Sequence, residues 1–183
     1  MKCVLSLCDA SGVWSAPYLR AGYEVVRVDL ADTGHDVRLL KPPPFKVHGI
    51  LAAPPCTVFS RAGQWVHRSD EEWIEALGIV SSCLRLVFAC EPAFWALENP
   101  ARGRLSEFLG RPRLEFEPCD FGDPWTKRTA LWGKFEIPMP LFTGVHSASP
   151  SLGDITTRLS GSNKSGRSRT PAGFAEAFYR ANP

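Results

Sequence analysis

Apolar runs of strand length alternate along this chain with segments whose apolar residues recur at helical spacing. "KCVLSLC" is a short apolar run that ends in Asp-Ala-Ser-Gly, "SAPYLRAG" has a helical pattern, and "YEVVRVDL" is rich in β-branched residues. Together they predict a βαβ unit. The polar "ADTGHDVRLLKPPPFK" predicts a loop with one short helical turn, and "VHGILAA" predicts a buried strand that runs straight into Pro54 and Pro55. From Asp70, acids in the first turn open a long helix, "EEWIEALGIVSSCLRLVFAC", with Trp73, Leu77, Val80, Leu84 and Val87 as its core-facing stripe. Then "AFWALENP" predicts a strand, "GRLSEFLG" a helix, and "RLEFEPCDFG" and "TALWGKF" two more strands. The closing "TPAGFAEAFYRAN" predicts a helix with Thr170 as N-cap and Pro171 at its first position. Strands alternating with helices imply an α/β fold of three layers, with a mostly parallel twisted sheet covered on both faces.

The chain has 183 residues, 44% hydrophobic and 22% charged, which suits one compact domain with a sizeable core. The pattern divides it into an α/β part over 1–136, an irregular Pro/Ser-rich insert over 137–166, and a C-terminal helical segment over 167–183. The opening "MKCVLSLCDASG" is too short an apolar run for a leader, so a soluble, cytoplasmic protein is expected, with no membrane partner. Six scattered cysteines without a C-x-x-C pair point away from a disulfide framework and from a structural zinc site. His35 and His146 lack neighbours at ligand spacing and read as loop residues, so no metal is expected; Trp125 and Trp132 read as packing residues. The net charge of +2 is mild, but "WTKRTALWGK" and "TTRLSGSNKSGRSR" gather positive charge in the last third. That distribution fits either a nucleic-acid partner or a solvated surface.

In open α/β sheets ligands collect beyond the carboxyl ends of the strands. Three such ends carry suggestive residues here: Ser11-Gly12 with Asp29, then Pro55-Cys56, then Glu98-Asn99-Pro100. A cysteine behind two prolines is either a buried thiol beside a turn or a sulfur presented on a stiff loop. A carboxylate closing an apolar strand needs a proton or a partner, which a structural ion pair and a catalytic role supply equally well.

Taken in order, these segments resemble the DNA (cytosine-5) methyltransferases over nearly the whole chain. "PPCTVFS" is similar to the family's Pro-Cys loop, "LENP" to its Glu-Asn motif, and "DFGDPWTKRTALWG" to its arginine-bearing segment. "LCDASGVWSAPYLRAGYEVVRVDL" resembles the cofactor-binding βαβ, and "RSRTPAGFAEAFYRANP" the closing segment. The brevity of the motifs is similar to compact phage or prophage members.

The resemblance implies a Rossmann-like S-adenosylmethionine-dependent methyltransferase fold and methyl transfer to C5 of cytosine in DNA. Cys56 as thiolate would add to C6, protonated Glu98 would polarise N3, Asn99 would hold the nucleophile loop, and Arg128 would bind the base's carbonyl or position the glutamate. Pro55, Phe59, Ser60, Arg61, Lys127 and Thr129 would line the substrate side. Asp9, Ser11, Gly12 and Trp14 would approach S-adenosylmethionine from the first turn, Asp29 would accept its ribose hydroxyls, Asp36 and Val37 would contact its adenine, and Leu30 and Pro54 would also belong to the cofactor site. The target base would be flipped out or offered in a single strand. Gly12 is the one glycine in "DASGVWS", Ala130 stands at the second arginine position, and Ser147 to Lys164 is the candidate remnant of a recognition domain. An accessory subunit or a homo-oligomer would then supply target recognition. The same residues leave two other readings open: the fold acting on a free nucleotide or RNA or transferring a modified group, and a catalytically silent DNA- or cofactor-binding module.

Overall fold

The computed structural model describes residues 1–60, 67–141 and 169–183. Arg61 and the stretch from Ser147 to Lys164 lie outside the described residues. The elements run β1 (Cys3–Leu7), α1 (Ala16–Arg20), β2 (Glu24–Val28), β3 (Gly49–Ala52), α2 (Asp70–Cys90), β4 (Phe94–Pro100), α3 (Ser106–Leu109), β5 (Leu114–Phe116), β6 (Thr129–Lys134) and α4 (Ala172–Ala181).

Among the described residues they form one six-stranded sheet in the order β2-β1-β3-β4-β6-β5. The first four strands are parallel, so their carboxyl ends share one edge. β6 runs antiparallel to β4, pairing Leu131 with Glu98 and Ala130 with Asn99, and β5 runs antiparallel to β6. Apolar residues alternate between the two faces as strand geometry requires. Leu5, Leu7, Ile50 and Leu97 meet Ala76, Val80, Cys83, Leu86 and Val87 of α2. Val4, Leu51, Ala96 and Leu131 meet Trp14 and Tyr18 near α1, and Phe174 and Phe178 of α4. The result is the expected three-layer arrangement.

Local chemistry explains the helix boundaries. α2 begins with a capping box: the Glu72 amide donates to Ser69 Oγ at 3.3 Å, and the Ser69 amide donates to Glu72 Oε2 at 3.0 Å. Its stripe is rotated from the expectation. Val80 and Val87 are buried, but Ala76, Cys83 and Leu86 share the inner face while Trp73, Leu77 and Leu84 flank it. By length and composition α2 would pass for a membrane-spanning helix; here its apolar face lies on the sheet.

Two expected elements differ. "RLEFEPCDFG" is a strand only to Phe116, because Pro118 has no amide for a ladder and Glu117 and Asp120 cap a 3₁₀ turn over Pro118–Phe121. α4 is not capped by Thr170: Pro171 takes the N-cap position and offers no side-chain bond. The cap comes from elsewhere in the chain, since the Gly173 amide donates to Asp123 Oδ2 at 3.0 Å. A Cβ at Gly173 would run into the Phe121 carbonyl, so the helix start sits directly on the 121–123 turn. Stacking of Phe174 on Phe116 at 4.0 Å between centroids completes the docking. Each fully buried phenylalanine there contributes about 1.5–3 kcal/mol.

Candidate active site

The carboxyl ends of β1 to β4 surround a cleft of about 510 Å³. Its walls include Asp9 and Ser11 after β1, Asp29 and Leu30 after β2, Asp36 and Val37 in the following loop, Pro54, Pro55 and Cys56 after β3, and Glu98 near the end of β4. Segments far apart in sequence converge because parallel strands bring all four ends to one edge.

At the β1 end a buried carboxylate organises the turn. Asp9 accepts hydrogen bonds from Ser6 Oγ at 2.9 Å, Ser11 Oγ at 3.0 Å and Ser15 Oγ at 3.3 Å. These bonds hold the loop. Gly12 adopts a left-handed conformation at φ 64°, and the Arg27 guanidinium covers the space where a Cβ would stand. Asp29 stabilises its own loop, its Oδ1 accepting the Ala31 amide at 2.8 Å and the Asp32 amide at 3.1 Å. Asp36 is gripped by the Arg38 fork at 2.6–3.0 Å, which holds its carboxyl below the usual carboxylate range. The same guanidinium reaches Glu75 of α2 at 3.2 Å, joining two walls of the cleft.

The Cys56 loop is fixed from behind. Asn99 Nδ2 donates to the Pro54 carbonyl at 3.0 Å, tying the end of β4 to the start of the loop. The Ser60 amide donates to the Cys56 carbonyl at 2.7 Å, and fully buried Phe59 packs against Trp73 at 5.8 Å. Cys56 itself is half-buried and opens on the cleft. Across the cleft wall Glu98 is 6% exposed, and Lys127 Nζ lies 3.5 Å from its Oε1. A thiol and a carboxyl group therefore share one cavity with Asp9, Asp29 and Asp36.

Several expected contacts fall elsewhere. Arg128 does not line the cleft; its guanidinium bonds Glu115 on the neighbouring strand at 2.9 Å, half exposed. Trp14 is fully buried among Phe174 and Phe178, because the loop after β1 turns its indole under the sheet. Phe59 and Thr129 are buried, Thr129 Oγ1 donating to the Lys127 carbonyl at 2.7 Å, and neither they nor Gly12, Ser60 and Asn99 line the cleft. They shape the backbone around it. Residues that the sequence did not assign to a site also line it: Cys8, Arg38, Glu75 and Ile79, together with Thr170, expected only as a helix cap, and His35, expected only as a loop residue. The Glu75 to Ile79 spacing, one turn apart on a helix that follows the cysteine loop, is the signal that could have found two of them. Cys8 adopts φ 57°, and the Cys83 thiol behind it is pushed up by its hydrogen bond with Cys8 and by burial.

No protein-family model matches the chain. Its sequence is 29% identical over 164 residues to "Probable DNA (cytosine-5)-methyltransferase" of Frog virus 3 (isolate Goorha), covering 78% of this chain and 76% of that one. Among solved structures, an E. coli protein encoded within prophage Cp and assigned as a DNA modification methyltransferase has a similar fold. The TM-score is 0.57 at 19% identity, over 79% of this chain. This chain spans about half of that one, 52%.

Proposed function

We infer that this chain, a homologue of the DNA (cytosine-5)-methyltransferases, transfers a methyl group to C5 of cytosine in DNA through a covalent bond between Cys56 Sγ and C6. The observation that carries this reading is the shared cleft, in which the Cys56 loop, buried Glu98 and the acids after β1 and β2 face one cavity. Cytosine C5 is a poor nucleophile until C6 is attacked. The Cys56 thiolate forms the S–C6 bond, the C5=C6 electrons shift toward C4, and N3 takes a proton from the Glu98 carboxyl. This leaves C5 electron-rich. Once C5 has taken the methyl group, loss of the C5 proton to water, return of the N3 proton to Glu98 and cleavage of the S–C6 bond restore the ring and the thiolate.

The donor's residues fit S-adenosylmethionine. In this reading Asp29 takes the ribose hydroxyls, Asp36 with Val37 the adenine, and the Asp9-ordered turn the chain near the sulfonium; all line the same cleft, as does Leu30. When bound, that donor supplies the electrophilic methyl that C5 takes. The reacting carbons of a cytosine are inaccessible inside a stacked duplex, so the base enters flipped or from a single strand.

Incubation with cytosine-containing DNA and S-adenosylmethionine, followed by digestion to nucleosides and mass spectrometry, tests the reading. The expected product is 5-methyldeoxycytidine, absent with Cys56→Ala. Parallel reactions with RNA and dCMP assign the substrate, and a product in those alone would overturn the DNA reading.

A further inference from the structure

Two thiols meet where the first strand ends. We propose that Cys8 and Cys83 form an oxidative modification site: hydrogen peroxide converts them to a disulfide that ties the Asp9 turn to α2 and weakens cofactor binding in the cleft. Only the identity of that cofactor rests on the function inferred above.

The placement of the pair supports this. Cys8 follows β1 directly, is half-buried and lines the cleft. Cys83 is fully buried on the inner face of α2, one turn beyond Ile79, which follows Glu75 at the same spacing. Glu75 and Ile79 reach the cleft, and Cys83 lies behind it. Within the core cluster between the sheet and α2 the two sulfurs are joined by a hydrogen bond. Burial and that bond keep the Cys83 proton on its sulfur, so a reagent entering the cleft meets Cys8 first. The Cys8 backbone has little freedom: it holds φ 57°, which L side chains rarely adopt, and its amide donates to the Val28 carbonyl at 2.8 Å. Cys3 and Cys90, also near each other, lie at the opposite end of β1, and neither lines the cleft.

The chemistry balances with peroxide as oxidant. Cys8 sulfur attacks one peroxide oxygen, the O–O bond breaks, and water leaves a sulfenic acid on Cys8. The Cys83 sulfur then bonds to the Cys8 sulfur, and its proton departs with the hydroxyl as a second water. Two thiols lose two electrons, and the peroxide takes both. A sulfur–sulfur bond is far shorter than a hydrogen-bonded contact, so it draws Cys8 toward α2 and away from the cleft. Asp9, the next residue, carries the three serine bonds of the turn, which moves with it.

The test treats the unaltered chain, Cys56→Ala, Cys8→Ser and Cys83→Ala with hydrogen peroxide, blocks remaining thiols, and maps peptides by mass spectrometry without reductant. A Cys8–Cys83 disulfide is expected in the first two and absent from the others, with dimedone labelling Cys8 in Cys83→Ala. In Cys56→Ala, where the other cleft thiol is gone, oxidation should lower S-adenosylhomocysteine affinity in calorimetry about fivefold or more, and dithiothreitol should restore it. Linkage then requires S-adenosylhomocysteine to disfavour the disulfide by the same factor in a glutathione redox buffer. A disulfide between Cys8 and Cys56, one between Cys3 and Cys90 alone, no disulfide, or unchanged affinity after oxidation would overturn the proposal. If the reduced chain does not bind S-adenosylhomocysteine, the donor inferred above and the effect on its binding fall together, and the mapped disulfide alone decides the modification site.

Discussion

Asn99 connects two strand ends through a single bond to the Pro54 carbonyl, and its Oδ1 is buried without a hydrogen-bond partner. Asn99→Ala removes the donor and leaves the Pro54 carbonyl unsatisfied, a loss of about 1–3 kcal/mol in urea unfolding. It should also lower the methylation rate more than the cofactor affinity, because the Cys56 loop follows Pro55 directly. Two acids with opposite shifts, Asp36 in the cleft and Asp123 in the turn under α4, give opposite pH dependence. Burial raises the Asp123 carboxyl, so its contribution to stability is complete below 3.8 and is lost as pH rises through the raised folded value. Asp36, lowered by Arg38, contributes above the ordinary carboxylate range and loses that contribution as pH falls through its lowered value. Urea titrations of the unaltered chain and Asp123→Asn across that range should show the advantage of the unaltered chain shrinking as pH rises; a growing advantage would contradict the sign. At this scale the sequence was legible where residue type alone decides. Cys56 and Glu98 close strands and face the cleft. Arg128 and Lys127 were not separable, since both precede β6 and they differ only in their folded partners, Glu115 for Arg128 and Glu98 for Lys127.

Elements that depend on near neighbours in sequence follow the pattern; those completed by distant partners do not. β1, β2, β3 and β4 form where apolar runs meet turn residues, and α2 starts at its acidic first turn. α4 formed as expected, but its N-terminus is capped by Asp123 from a turn 50 residues away. No local motif announces that bond. Asp123→Ala should cost about 0.5–2 kcal/mol, the range for a lost helix cap, and should weaken S-adenosylhomocysteine binding in calorimetry, because Thr170 just ahead of α4 lines the cleft. Ser69→Ala, which removes the α2 capping box, should cost a similar amount without altering cofactor affinity, since neither Ser69 nor Glu72 lines the cleft. Trp14 and Phe59 illustrate the same limit from the other side. Each follows a strand end, as a ligand contact would, but tertiary packing draws both into the core.

For the whole molecule, two apolar faces of one sheet hold the strands together, and the edge where four of them end is left for chemistry. The aromatic layer of Trp14, Tyr18, Phe174 and Phe178 anchors the chain's last helix to the same sheet that positions Cys56. Phe174→Ala should therefore cost about 3–5 kcal/mol and loosen the cofactor side of the cleft along with the helix. The α/β class and the parallel order of the first strands were readable from alternation; the antiparallel insertion of β6 between β4 and β5 was not, because a strand's direction depends on the connection before it. Trapping with DNA containing 5-fluorocytosine, in the presence of S-adenosylmethionine, arrests the reaction after methyl transfer, since fluorine cannot leave as a proton does. A stable protein–DNA adduct, mapped by mass spectrometry to Cys56 and lost in Cys56→Ala, is the predicted result. No adduct, or an adduct on another residue, would contradict it.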